Sequence, residues 1–167
     1  MFVRHARAAV VLLTCTLGCS FAILPSSAVA EPSARHCVAQ PSGTPGQPPA
    51  MQCFSTFAAA ISAATDGVGP LTSVILSIDY TGTNESGSSL TWRQSSGCGS
   101  YSASSMPTGW NDAVESVSNF NGCGTTLYQN SSFSGSTVSI AVDATATTLG
   151  GFNRQASSQK WCAANSC

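Results

Sequence analysis

The chain has 167 residues, and only 8% of them are charged, six Lys and Arg against seven Asp and Glu. So sparse and slightly acidic a charge excludes a nucleic-acid partner, because no basic patch is present to replace phosphate counterions. Beyond residue 30 no stretch is apolar enough to enter a membrane.

Residues 1–30 read as a secretory signal peptide. Arg4 and Arg7 supply a basic start, residues 8–24 are almost wholly apolar, and Ala28-Val29-Ala30 offers small residues for cleavage before Glu31. The apolar run is short for a membrane anchor, and Thr16-Leu17-Gly18-Cys19 has Thr where a lipobox normally carries Leu. The expected mature protein is secreted, extracellular and monomeric, with a net charge of −3 from four basic and seven acidic residues. Its six cysteines, Cys37, Cys53, Cys98, Cys123, Cys162 and Cys167, point to three disulfides. Proximity along the chain suggests Cys37–Cys53, Cys98–Cys123 and Cys162–Cys167. A metal-ligand role is weak, since no C-x2-C pair occurs and His36 is the one histidine left after cleavage.

Residues 31–52 hold five prolines and no hydrophobic period, which predicts an extended, partly disordered arm tied down by Cys37. Residues 53–71 are expected to form a short helix and a linker. Phe54, Phe57, Ala58, Ile61 and Ala64 recur at helical spacing up to a stop at Gly67, with the Phe face against the rest of the domain. From residue 72 to 167 the period becomes two. Val74, Leu76 and Ile78 share one face, Leu90 pairs with Trp92, and Val138 with Ile140, between frequent turn glycines. Such short strands argue for a β-sandwich.

This second half repeats itself. Tyr80-x4-Glu85-Ser86-Gly87 aligns with Tyr128-x4-Phe133-Ser134-Gly135, and Gly109-Trp110-Asn111-x4-Ser116 with Gly151-Phe152-Asn153-x4-Ser158. Two units of about four strands each fit a pair of Greek keys. Gly87 and Gly135 stand where a folded hairpin opposes a Cβ, and Ser116 and Ser158 are placed to cap it. Trp92 aligns with Ile140 and Trp110 with Phe152, which predicts burial for both tryptophans.

Tyr128-x4-Phe133-x-Gly135 with Asn153-x3-Ser157-Ser158 resembles the βγ-crystallin Greek-key signature, over roughly residues 72–162. Pro107-Thr108-Gly109-Trp110-Asn111-Asp112 and Cys123-x3-Leu127-Tyr128 are most similar to the secreted actinobacterial proteins grouped as peptidase inhibitor family I36. The resemblance implies an all-β fold, a βγ-crystallin-like double Greek-key sandwich preceded by the short helix and the arm. Glu85 departs from the pattern, standing where the first motif would carry an aromatic. This implies a looser first hairpin or a carboxylate turned to solvent.

The resemblance also implies candidate calcium ligands in two N/D-N/D-x-x-S/T-S stretches: Asn111, Asp112, Glu115 and Ser116, then Asn153, Ser157 and Ser158. Glu115 replaces Ser or Thr in the first, and Arg154 stands at an acidic or amide position in the second. The alternative is that these residues only hold the hairpins together.

No catalytic set is visible. His36 lies on the proline-rich arm, no G-x-S-x-G elbow occurs, and Asp112 with Glu115 falls inside the turn motif. The resemblance implies a binding protein, a peptidase inhibitor whose partner is a secreted protease, with residues 93–106 as the candidate loop. The rival readings are a calcium-binding extracellular module and a killer-toxin-like antimicrobial protein, the latter disfavoured by the acidic charge.

Overall fold

The computed structural model describes residues 34–42, 47–65, 73–165 and 167. The expected signal peptide and the stop at Gly67 lie outside these residues. Strands β1 (His36–Gln40) and β2 (Ala50–Phe54) precede helix α1 (Phe57–Thr65). The first repeat supplies β3 (Val74–Gly82), β4 (Ser86–Gln94), β5 (Tyr101–Ala103) and β6 (Ser116–Asn119). The second supplies β7 (Gly124–Asn130), β8 (Ser134–Ile140), β9 (Thr145–Ala146) and β10 (Ser158–Cys162).

One sheet runs β2-β1-β4-β3-β6-β9 and the other β5-β10-β7-β8. The third strand of each repeat crosses over: β5 pairs with β10, and β9 pairs with β6. Each repeat is therefore completed by a strand of the other, which makes two Greek keys sharing one core. Leu76, Leu90, Trp92, Val117, Leu127 and Trp161 are among the residues that fill the space between the sheets. Trp110 and Phe152, matched by the repeat alignment, both lie in that core. The fold is all-β with one short helix.

The two hairpins are closed in the same way. Ser116 Oγ donates to the Gly82 carbonyl at 2.7 Å and accepts from the Glu85 N–H at 3.1 Å. Ser158 Oγ donates to the Asn130 carbonyl at 2.6 Å and accepts from the Phe133 N–H at 3.1 Å. Gly87 and Gly135 follow with φ of 79° and 81°, the left-handed region that disfavours a Cβ.

Three expectations are corrected. The proline-rich segment contributes two strands instead of a loose arm: β1 adds in parallel to β4, and β2 closes on β1. Pro41, Pro48 and Pro49 flank the strands, where no ladder hydrogen bond is required of them. The helix begins at Phe57, because Cys53 and Phe54 belong to β2, and Thr56 Oγ1 caps it by accepting from the Ala59 N–H at 3.2 Å. Its packing face is alanine: Ala60 and Ala64 are buried against Val38, Phe54 and Ile75, while Phe57 stays 40% exposed. Small side chains one turn apart let the helix lie close on the sheet.

The third correction concerns β3. A register shift between Ile75 and Ser77 breaks the alternation, so Ser77 and Asp79 sit opposite Trp92 and Leu90 and face the core. Ile78 and Tyr80 therefore face the other side, away from Leu76.

The disulfides join Cys37 to Cys53, Cys98 to Cys123, and Cys162 to Cys167.

Candidate functional site

Two places gather the residues with chemistry to offer. The first is the seam where residues 111–116 of one repeat meet residues 153–158 of the other. Asp112 and Arg154, the second residue of each stretch, both have left-handed backbone, with φ of 54° and 58°. The Asp112 N–H donates to the Ala156 carbonyl at 3.0 Å, and the Arg154 N–H to the Val114 carbonyl at 2.8 Å. These two bonds exchange equivalent positions, so the seam has approximate two-fold symmetry.

That symmetry sets the side chains in crossed pairs. Ser157 Oγ donates to Asp112 Oδ1 at 3.3 Å, and Arg154 Nε donates to Glu115 Oε1 in an ion pair. Asn111 Nδ2 donates to Asp112 Oδ2 at 2.7 Å. Asn153 Oδ1 accepts from the Leu149 N–H at 2.9 Å and so shapes its own turn. Ser116 and Ser158 hold the hairpins. Of the seven candidate ligands, the seam brings together Asn111, Asp112 and Ser157, places Glu115 against Arg154, and uses Ser116, Asn153 and Ser158 in the hairpins and turns.

Calcium needs about six to eight oxygen ligands. The Glu115 half does not fit it, because a guanidinium already stands on that carboxylate and repels a second cation. The Asp112 half offers one carboxylate and one hydroxyl at an exposed edge. Among the described residues no three His, Cys, Asp or Glu side chains converge.

The second place is the connection between β4 and β5, residues 95–100. Ser95, Ser96, Gly97 and Ser100 are exposed, yet the loop is fixed. Cys98 is bonded to the buried Cys123, the Tyr101 hydroxyl lies 2.7 Å from Ser96 Oγ, and the same hydroxyl donates to the Gly97 carbonyl at 3.3 Å. Cys123 also closes a neighbouring turn, its N–H donating to the Phe120 carbonyl at 3.1 Å, with Asn121 and Gly122 at φ of 57° and 76°. The Phe120 side chain is 37% exposed there. The disulfide thus ties together two loops that carry no charged residue of their own, and the Asp143 carboxylate accepts from the Gly122 N–H at 2.8 Å beside them. The sequence-derived range of 93–106 is wider than this loop. Arg93 turns to the helix and donates to the Ala63 carbonyl at 3.0 Å, residues 101–103 form β5, and Met106 is buried.

His36 packs between the sheet and the helix. Its Nδ1 lies 2.9 Å from Ser89 Oγ, but Ser89 is fully buried, and no ion pair among the described residues involves the imidazole. The ring packs edge-on against Phe57 at 5.7 Å and helps seat the N-terminal strands.

Residues that the sequence reading passed over lie deeper. Asp79, Gln159 and Trp161 meet in the middle of the core. Their signal in the sequence is the repeat itself, which sets Asp79 against Leu127 and Gln159 against Val117.

Comparison with known proteins gives one family match over part of the chain and several distant structural likenesses. Residues 80–140 match the pattern of peptidase inhibitor family I36. No curated protein matches the chain. Among solved structures, a βγ-crystallin domain from work on the evolution of the eye-lens fold is 20% identical, covers 57% of this chain and 93% of its own, and superposes with a TM-score of 0.45. The N-terminal domain of protein S is 22% identical, covers 52% of this chain and 93% of its own, with a TM-score of 0.40. A βγ-crystallin domain from Clostridium beijerinckii is 20% identical, covers 53% of this chain and 98% of its own, with a TM-score of 0.39. The chain is an all-β double Greek key by its strand order, and its residues 80–140 match peptidase inhibitor family I36.

Proposed function

We propose that this is a secreted proteinaceous peptidase inhibitor, a binding protein without chemistry of its own. The observation that carries the reading is the family I36 match, because residues 80–140 take in both loops tied by Cys98–Cys123. A loop already fixed by a disulfide and by Tyr101 gives up little conformational freedom on entering a protease cleft. It also brings no charge that would be stranded there. The basic-apolar start of the chain and its three disulfides support export to an oxidising compartment.

The test uses the disulfide-bonded protein recovered from the medium of an exporting host, where N-terminal sequencing should begin at Glu31. Residual activity of a thermolysin-like metalloprotease and of a subtilisin is followed against rising protein at constant free calcium. Stoichiometric loss of activity in either supports the reading. Full activity of both, with the protein intact, counts against it.

A second reading is favoured by the Ser157–Asp112 contact: one weak calcium position, held by the Asp112 carboxylate and the Ser157 hydroxyl. A site with so few protein ligands should bind at about 10⁻⁴–10⁻³ M. Calorimetric titration with calcium should give one event that Asp112→Ala abolishes. An unchanged event in that variant, or none in the parent, rules this site out.

A further inference from the structure

Asp79 is fully buried between the sheets, and every group that touches it is neutral. Trp92 Nε1 donates to Oδ2 at 2.7 Å, Ser77 Oγ lies 3.5 Å from Oδ1, and the Gln159 amide reaches across from β10. Trp161 Nε1 donates to Ser77 Oγ at 2.9 Å, and the Trp92 and Trp161 rings lie 4.8 Å apart. The network therefore links β3 and β4 of one sheet to β10 of the other.

The charged groups on the surrounding elements face elsewhere. Arg93 of β4 turns to the helix. Lys160 of β10 lies over Phe133 on the outer side of the second sheet. Glu115, just before β6, is held by Arg154, and Glu85 accepts from Ser118 Oγ at 2.6 Å. Tyr80 points to the opposite side of β3, its hydroxyl pushed up to about 12 mainly by burial, with the charges of Glu85 and Asp79 adding to it.

The fold does not require this arrangement. The repeat places Leu127, Ile140 and Val117 where Asp79, Trp92 and Gln159 stand, and those three apolar residues fill the matching half of the core. An acid has been set into one half of a symmetric core that closes without one in the other half.

The Gln159 amide can serve both protonation states. One of its terminal atoms lies 2.8 Å from Asp79 Oδ2. Oxygen at that point accepts the proton of the neutral acid, whereas nitrogen there donates to the ionised carboxylate. Exchange between the two requires the amide to turn over inside the packed core.

We infer that Asp79 is a proton-operated lock between the two sheets, closed while it is a neutral acid bridged to Gln159 and weakened when it ionises. On ionisation the proton leaves to solvent, the amide turns, and an unpaired charge remains in an apolar interior. Burial, only partly opposed by the Trp92, Gln159 and Ser77 hydrogen bonds, pushes the carboxyl up to about 7. The lock therefore works between mildly acidic and neutral conditions.

The test is urea unfolding followed by far-UV circular dichroism from about pH 4.5 to 7.5, on the parent and on Asp79→Asn, which keeps the shape and cannot ionise. The unfolding constant of the parent, relative to the variant, should rise by close to tenfold per pH unit from about pH 5 to 6.5 and level off above about pH 7. A ratio that stays flat overturns the inference. Should the variant fail to fold, carbon-13 titration of the Asp79 carboxyl in the native parent decides instead. A midpoint near neutrality sustains the lock, and one in the ordinary carboxylate range refutes it.

Discussion

Arg154 is where this chain departs most clearly from a symmetric metal-binding seam. Its guanidinium stands on Glu115, whereas the equivalent pair across the pseudo-two-fold is Asp112 with Ser157. Arg154 is 69% exposed, so the ion pair adds little stability, and Arg154→Asn should cost well under about 1 kcal/mol. The same change removes the resident cation. The variant should then bind one more calcium ion than the parent in a calorimetric titration, and equal stoichiometry would contradict that role.

A matching exchange occurs at the hairpins. Phe133 lies under Lys160 Nζ at 4.6 Å, and at the equivalent places in the first repeat Glu85 accepts from Ser118. Glu85 is exposed, as expected of a carboxylate turned to solvent, and it also bonds Ser118, a hydroxyl in place of the cation–π partner. Asp79 has the strongest consequence of the three. A folded-state acid raised above its unfolded value binds its proton more tightly when folded. Its stabilising contribution is therefore complete below about pH 4 and is lost as pH rises to about 7. Over that interval stability should fall by about 1.4 kcal/mol per pH unit relative to Asp79→Asn.

Among the elements, the hairpins and loops carry the risk. A Cβ at Gly135 would meet Asn130 Nδ2 at 2.7 Å with φ already at 81°. Gly135→Ala should lower stability by about 2 kcal/mol, read as a shift in the urea midpoint, and a neutral result would mean that the hairpin is free to relax. The Cys98–Cys123 disulfide closes a 25-residue separation and fixes both candidate loops. Replacing both cysteines by Ser should cost about 3 kcal/mol. It should also weaken inhibition in excess of the fraction unfolded, since the loops lose their fixed form. Inhibition that falls only in proportion to unfolding would move the binding surface elsewhere.

Much of this level was legible. The glycines, the closing serines and the alternating runs mark the two repeat hairpins, β3 with β4 and β7 with β8, because turn chemistry and burial both demand them. The N-terminal strands were not legible, because β1 owes its place to β4 and a proline-rich segment shows no period of its own. The inward turn of Asp79 was hidden for a related reason. One bulged residue at the start of β3 reverses its faces, and the sequence Val-Ile-Leu-Ser-Ile-Asp-Tyr reads as a strand in either phase.

Taken whole, the molecule is a duplicated sandwich whose halves have diverged where chemistry can enter. One seam pair keeps oxygen donors while the other keeps a guanidinium, and one core half is apolar while the other holds an acid. The candidate loop was legible as the excursion that lengthens the first repeat, together with its cysteine. Its true extent was not, since β5 and Met106 are fixed by partners about fifty residues further along the chain, at Gln159 and Ser157. Binding of a protease by the loops at Cys98–Cys123 is the central proposal. The decisive measurement is a tight-binding titration of a metalloprotease and of a subtilisin with the secreted protein, the parent against a Ser96→Pro, Phe120→Ala variant of unchanged fold by circular dichroism. The parent should inhibit stoichiometrically, and the variant should lose about tenfold or more. Equal inhibition by the two proteins, or none by the parent, would contradict it.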